Sequence, residues 1–135
     1  MSVRNIEQGF YDLPVSQIKL AFVGAFSKII IADLNISAGM ISIHIPSFTD
    51  IITSTGTLQA GVPTEYTLPT SISTLSYPIL VKNNDMIVST PSILLFNIST
   101  GLITICADVS GNPFESGSLI PYGLINDVVI TYILN

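Results

Sequence analysis

The chain has 135 residues, a formal net charge of −5, and 10% charged residues against 48% hydrophobic ones. That length suits one domain with a core needing neither disulfide nor metal, and the composition is too apolar for a disordered segment. Its basic residues are Arg4, Lys19, Lys28 and Lys82, which make no stripe able to neutralise a phosphate backbone, so nucleic-acid binding is excluded as a reading.

Residues 1–14 carry Arg4, Glu7, Asp12 and the pair Phe10-Tyr11, and end at Pro14. They read as an N-terminal arm or an irregular first strand, with residues 15–135 as a single domain. The opening lacks the apolar run of a signal peptide, so a soluble chain made without a cleaved leader is expected. From Ser16 the pattern alternates, with Ile18, Leu20 and Phe22 on one face and Gln17, Lys19 and Ala21 on the other. Period two argues for a half-buried strand. A helix over 15–26 is the competing reading, because Gln, Lys, Leu and Ala all tolerate one. The apolar neighbourhood "IKLAFVGAFSKIIIADLNI" is broken by Lys19, Gly24, Lys28 and Asp33, so no membrane insertion is expected.

"KIIIADLNI" alternates again, setting Ile30, Ala32, Leu34 and Ile36 against Asp33 and Asn35. After Gly39, "MISIHIPSF" points Ile41, Ile43 and Ile45 inward and Ser42 and His44 outward, and Pro46 ends the strand or places it at a sheet edge. Residues 49–76 are rich in Thr and Ser, with Gly56, Gly61, Pro63 and Pro69. They read as a long connection with one short strand near Glu65–Leu68, of the kind that binds something or packs on a neighbour. Strands resume at "YPILV", "MIVST", "SILLFNI", "LITICADV" and "DVVITYIL". Asn83-Asn84-Asp85 and Ser99-Thr100-Gly101 supply hairpin-turn residues between them. About eight strands spaced some ten residues apart, with no convincing helix, predict an all-β fold: an antiparallel β-sandwich of jelly-roll type.

Reactive groups are scarce. One His and one Cys, on different strands, give no metal set, and no cofactor is expected. His44 reads as a surface or interface imidazole. Ile103, Ile105, Ala107 and Val109 make the better core face of their strand, which leaves Cys106 as a half-buried hydrophobe without an adjacent base. Asp33, Asp50, Glu65, Asp85, Asp108, Glu115 and Asp127 are scattered and read as turn-forming or solvated acids. No phosphate loop and no nucleophile elbow occurs. The sequence therefore does not read as an enzyme, and no catalytic residue is assigned. There is no Trp, so Tyr66, Tyr77 and Tyr122, in or beside loops, are the candidate ligand-binding platforms. The surface they suggest is the connection 49–76 together with 112–122.

The order "NISTGLITI", "SGNPFESGS", "GLINDVVITYIL" resembles the end of the trimeric β-sandwich head modules of viral and phage fibres, including those on collagen-like shafts of large DNA viruses. The features that carry it are a Gly-led strand at residues 101–105, an F-x-S/T-G loop at 114–117 and a final strand ending at 130–132. "MISIHIPSFTD" and "LPTSISTLSYPILVKNND" extend the likeness over residues 39–134. The resemblance implies a non-enzymatic structural or attachment protein of a virion or extracellular surface assembly: a fibre head, spike or capsid-decoration module, free-standing or part of a longer protein. It implies a homotrimer whose partners are its own copies, other virion proteins or a host surface glycan. It transfers no functional residue. Composition points towards assembly as well, since mean hydropathy is +0.66 and charge is low. Ser42, His44, Thr104 and Thr131 are the expected interface residues. The alternative is a carbohydrate- or ligand-binding β-sandwich unrelated to virions.

Overall fold

The computed structural model describes residues 16–69, 74–83, 86–87, 91–116 and 122–134. The expected arm over 1–14, the Asn84-Asp85 part of one expected turn, and residues 117–121 of the connection after Phe114 lie outside the described residues.

Alternation shapes the first three strands. β1 (Ser16–Gly24), β2 (Ile30–Ser37) and β3 (Met40–Ile45) bury Leu20 and Phe22, then Ile30, Ala32 and Leu34, then Ile41, Ile43 and Ile45. That is the two-residue period of strands with one face on a core, and it decides 15–26 against a helix. Ala38 and Gly39, with φ of 51° and 79°, join β2 to β3. Two central residues at positive φ give the type I′ turn, whose twist matches that of the flanking strands.

Nine further strands follow: β4 (Phe48–Asp50), β5 (Leu58–Gly61), β6 (Thr74–Ile79), β7 (Val81–Asn83), β8 (Met86–Ile87), β9 (Ser92–Asn97), β10 (Leu102–Cys106), β11 (Tyr122–Leu124) and β12 (Val128–Ile133). Eight form one antiparallel sheet in the order β12-β3-β2-β1-β5-β10-β9-β6, and β4-β11-β7-β8 form a smaller one.

β1 belongs to two ladders. Residues 16–22 pair with β2, while Val23 and Gly24 pair with β5. The sheet bends where the partner changes, at Gly24. There φ is +148°, and a Cβ would stand 2.0 Å from the Thr57 carbonyl oxygen, so only glycine fits. Past that corner the sheet folds back on itself: Phe96 of β9 meets Tyr132 of β12 with ring centroids 5.4 Å apart, although these strands lie near opposite ends of the sheet order. The result is the all-β, antiparallel, sandwich-like fold that the alternation predicts. Phe22, Leu34, Ile43, Leu94, Phe96 and Ile105 from both halves are fully enclosed in one core.

Three local expectations are corrected. No strand forms near Glu65–Leu68. Pro63 presets the backbone for a single 3-10 turn at Thr64–Tyr66, where the Tyr66 and Thr67 amides donate to the carbonyls of Pro63 and Thr64 at 2.9 and 3.1 Å. The strand in that connection is β5, seven residues earlier, whose Ala and Gly carry little β propensity and which is held by β1 on one side and β10 on the other. "YPILV" divides at Leu80 between the two sheets. Val109, assigned to a core face, is exposed, because the strand stops at Cys106 and Asp108 begins a turn. Among the described residues, no helix is long and apolar enough to cross a membrane.

Candidate functional site

A cleft of about 460 Å³ opens where the turn after β10 faces the start of β11. Its wall is built by aromatic packing. Phe26 is the hub, with ring centroids 5.1 Å from Phe48, 5.0 Å from Phe114 and 6.4 Å from Tyr122, and Phe114 meets Tyr122 edge to face at 5.4 Å. Such arrangements suit the quadrupoles of the rings and fix their orientation. Tyr122 and Phe114 line the cleft with Ile52 and Pro113.

The rim is polar and acceptor-rich, with Asp108, Asn112 and Glu115. The Asp108 carboxylate organises its own turn. Oδ1 accepts from the amides of Ser110 and Asn112 at 2.9 and 3.2 Å, and Oδ2 from Asn112 Nδ2 at 2.8 Å. The bonds from Asn112 lead those that hold its carboxyl below the usual carboxylate range. Ala107 closes the turn by donating to the Asn112 carbonyl at 2.8 Å, and reciprocal bonds between Phe114 and Gly56, 2.7 and 3.0 Å long, pin the far side. Burial, helped by the Asp108 charge, pushes the Tyr122 phenol up.

β11 is positioned by close approach. A Cβ on Gly123 would lie 1.9 Å from the Phe48 carbonyl oxygen of β4. Asp50, opposite Tyr122 in the ladder, is a buried carboxylate accepting from Ser27 Oγ at 2.7 Å and from the Lys28 amide at 2.5 Å. Burial pushes its pKa up, but these hydrogen bonds outweigh burial and leave it lowered. Asp50 thereby ties β4 to the turn that carries Phe26.

The three candidate tyrosines are not brought together. Tyr122 lines the cleft just described. Tyr77 lines a second, smaller cleft of about 300 Å³ with Pro78, Leu80, Asn126 and Asp127. Tyr66 packs half-buried on the core, and its carbonyl accepts from the Tyr132 hydroxyl at 2.6 Å. Burial pushes the Tyr132 phenol up to about 12. Asn112 and Phe114 fall in the expected surface 112–122, whereas Asp108, just before it, was not singled out as a group that could meet a ligand. The signal for Asp108 is "DVSGN", the spacing by which an Asp side chain caps its own turn. Cys106 is buried, and burial raises its thiol pKa, so it is a poor nucleophile. Among the described residues, no three or more His, Cys, Asp or Glu side chains gather into a metal-binding group.

The outer face of β12-β3-β2-β1 forms a second feature. The ladders align Thr131, Ser42, Asn35 and Gln17 in one row and Val129, His44, Asp33 and Lys19 in the next. Ile31, Met40, Val129 and Ile133 stand 45–59% exposed on this face. Among the described residues, Lys19 pairs with Asp33 on this face, and His44 Nε2 is hydrogen-bonded to Asp127 Oδ2 at 3.0 Å. Three of the four expected interface residues share this face. Thr104 lies on the outside of the other half, in a row with Gln59, Leu95 and Ser76.

No protein-family model matches the chain, and no curated protein does. Among solved structures it is similar to a reovirus attachment protein, sigma1, solved in complex with alpha-2,3-sialyllactose, at 16% identity and a TM-score of 0.47. The likeness covers 90% of this chain and 65% of that one.

Proposed function

We propose that this chain is a non-enzymatic structural and attachment module of a virion surface, working as a homotrimer. The observation that carries the reading is the outer face of β12-β3-β2-β1. On a chain of net charge −5, this face ties Lys19 to Asp33 and hydrogen-bonds His44 to Asp127, and otherwise presents hydroxyls, amides and apolar side chains. A copy can pack there against titratable groups that already have hydrogen-bond or ion-pair partners, which lowers the electrostatic cost of association. Closed three-fold symmetry needs one heterologous contact per subunit, and a stable one buries more than about 1,000 Å². The resemblance of residues 39–134 to fibre-head modules supports the virion setting and the number three.

The sequence offers no base-activated nucleophile, and the Cys106 thiol is buried; both support a role without catalysis. The hydrogen-bonded 107–112 turn supports attachment instead, since a preorganised turn loses less freedom on binding. The test is a double substitution, Val129→Lys with Ile133→Lys, at two exposed outer-face positions. Sedimentation velocity should show the variant falling to the mass of one chain while its circular dichroism stays that of the parent. A variant that keeps the parent's mass refutes the assigned face.

A further inference from the structure

The cleft beside Tyr122 has three properties that together narrow what it can hold. Edge-to-face contacts hold its aromatic wall, and five hydrogen bonds close the 107–112 turn. At about 460 Å³ it lies in the range of small-molecule sites. Its rim offers acceptors, with carboxylates at Asp108 and Glu115 and the amide at Asn112, above an apolar floor of Ile52, Pro113 and Phe114. Two carboxylates repel an anion. A simple cation gains little from them, because Glu115 is exposed and Asp108 is already engaged by its own turn, and attraction near solvent is weak. A ligand with one apolar face and a fringe of hydroxyl donors satisfies floor and rim together.

We propose that this cleft binds an uncharged pyranose sugar, which lays its C–H face on the Tyr122 ring and donates hydroxyls to Asp108 and Glu115. The carboxylates accept charge-assisted hydrogen bonds, about twice as strong as neutral ones. The preorganised wall and turn spare the ordering cost that weak sugar ligands cannot meet. The same carboxylates reject sugars carrying an acid. The inference rests on the attachment reading above, but not on the number of copies in the assembly.

The test is saturation-transfer NMR on the full chain with three kinds of probe: neutral methyl pyranosides (galactoside, mannoside and fucoside), the methyl glycoside of N-acetylneuraminic acid, and choline. Transfer to at least one neutral pyranoside, and none to the acid or to choline, is expected. Glu115→Ala changes an exposed side chain and leaves the wall intact. It should weaken the neutral ligand about tenfold, as loss of one charged hydrogen bond does. Tyr122→Leu should abolish transfer and, if it disturbs the aromatic cluster, is read only alongside Glu115→Ala. Three results overturn the proposal: no transfer to any neutral pyranoside, equal transfer to the acid or choline, or an undiminished signal in Glu115→Ala. Light scattering on the same samples reports the assembly separately, so an intact trimer that binds no sugar contradicts the ligand alone.

Discussion

Among the described glycines outside the corner at Gly24, Gly123 should be the least tolerant of alanine. The added methyl carbon would stand 1.9 Å from the Phe48 carbonyl oxygen, 2.8 Å from its carbonyl carbon and 3.0 Å from the Thr49 Cα. All three are backbone atoms of β4, so no side-chain rotation relieves the clash. β4 and β11 must separate by more than an ångström to restore ordinary contact, which breaks the Tyr122–Asp50 to Leu124–Phe48 ladder and loosens the Phe26–Phe48 contact. Overpacking of this kind typically costs 1–3 kcal/mol, and the lost ladder puts the expected loss at about 3 kcal/mol or more. Gly61→Ala is the control, because a Cβ there meets nothing within 4 Å and replacing glycine inside a strand gains about 0.5 kcal/mol. Urea unfolding at one fixed protein concentration, since an oligomer's apparent stability depends on concentration, should separate the two variants by at least about 3 kcal/mol. If Gly123→Ala unfolds within about 0.5 kcal/mol of the parent, the close approach of β4 to β11 is wrong, and with it the placement of Tyr122 in the cleft.

Ala38 occupies a left-handed position at φ 51° before Gly39, so Ala38→Asn, which completes the preferred Asn-Gly pair, should stabilise by about 0.5–1 kcal/mol in the same assay. Ile43→Ala and Ile105→Ala, both fully buried, should each cost about 2–5 kcal/mol, and losses below about 1 kcal/mol would deny them the core. Asp50 has a lowered folded-state pKa, so its contribution is present above its unfolded value, near pH 4, and is lost as pH falls through the folded value. Unfolding of Asp50→Asn followed from pH 6 to pH 2 should therefore be less pH-dependent than that of the parent, and parallel curves would refute the role assigned to Asp50.

The strands that alternate were legible, and for one reason. β1, β2, β3 and β12 each have one face on the core and one in solvent, so burial writes itself into the sequence with period two: Leu20/Phe22, Ile30/Ala32/Leu34, Ile41/Ile43/Ile45 and Ile130/Tyr132. β5 was not legible. Four residues ending in Ala-Gly become a strand because β1 and β10 flank them, which is tertiary context and not propensity. In the small sheet, β8 lies within the expected strand "MIVST" and β7 starts in "YPILV", but β4 and β11, three residues each, are too short to show a period. At the site, Tyr122 could be singled out as an aromatic beside a loop. Its separation from Tyr66 and Tyr77 depends on which sheet each strand joins, and local pattern holds no information on that. Asp108 looked like one turn-forming acid among several. It is one, through its bonds to Ser110 and Asn112, and the fold sets that turn against an aromatic wall from distant strands.

The proposed trimer joins copies of this chain through the outer face of β12-β3-β2-β1. Size exclusion coupled to light scattering, at micromolar concentration and near-physiological salt, tests it most directly. Three copies of the 14.4 kDa chain predict a single species of about 43 kDa that persists on tenfold dilution, as an interface above about 1,000 Å² should. A sharp peak at the mass of one chain, unchanged by concentration, would contradict the account.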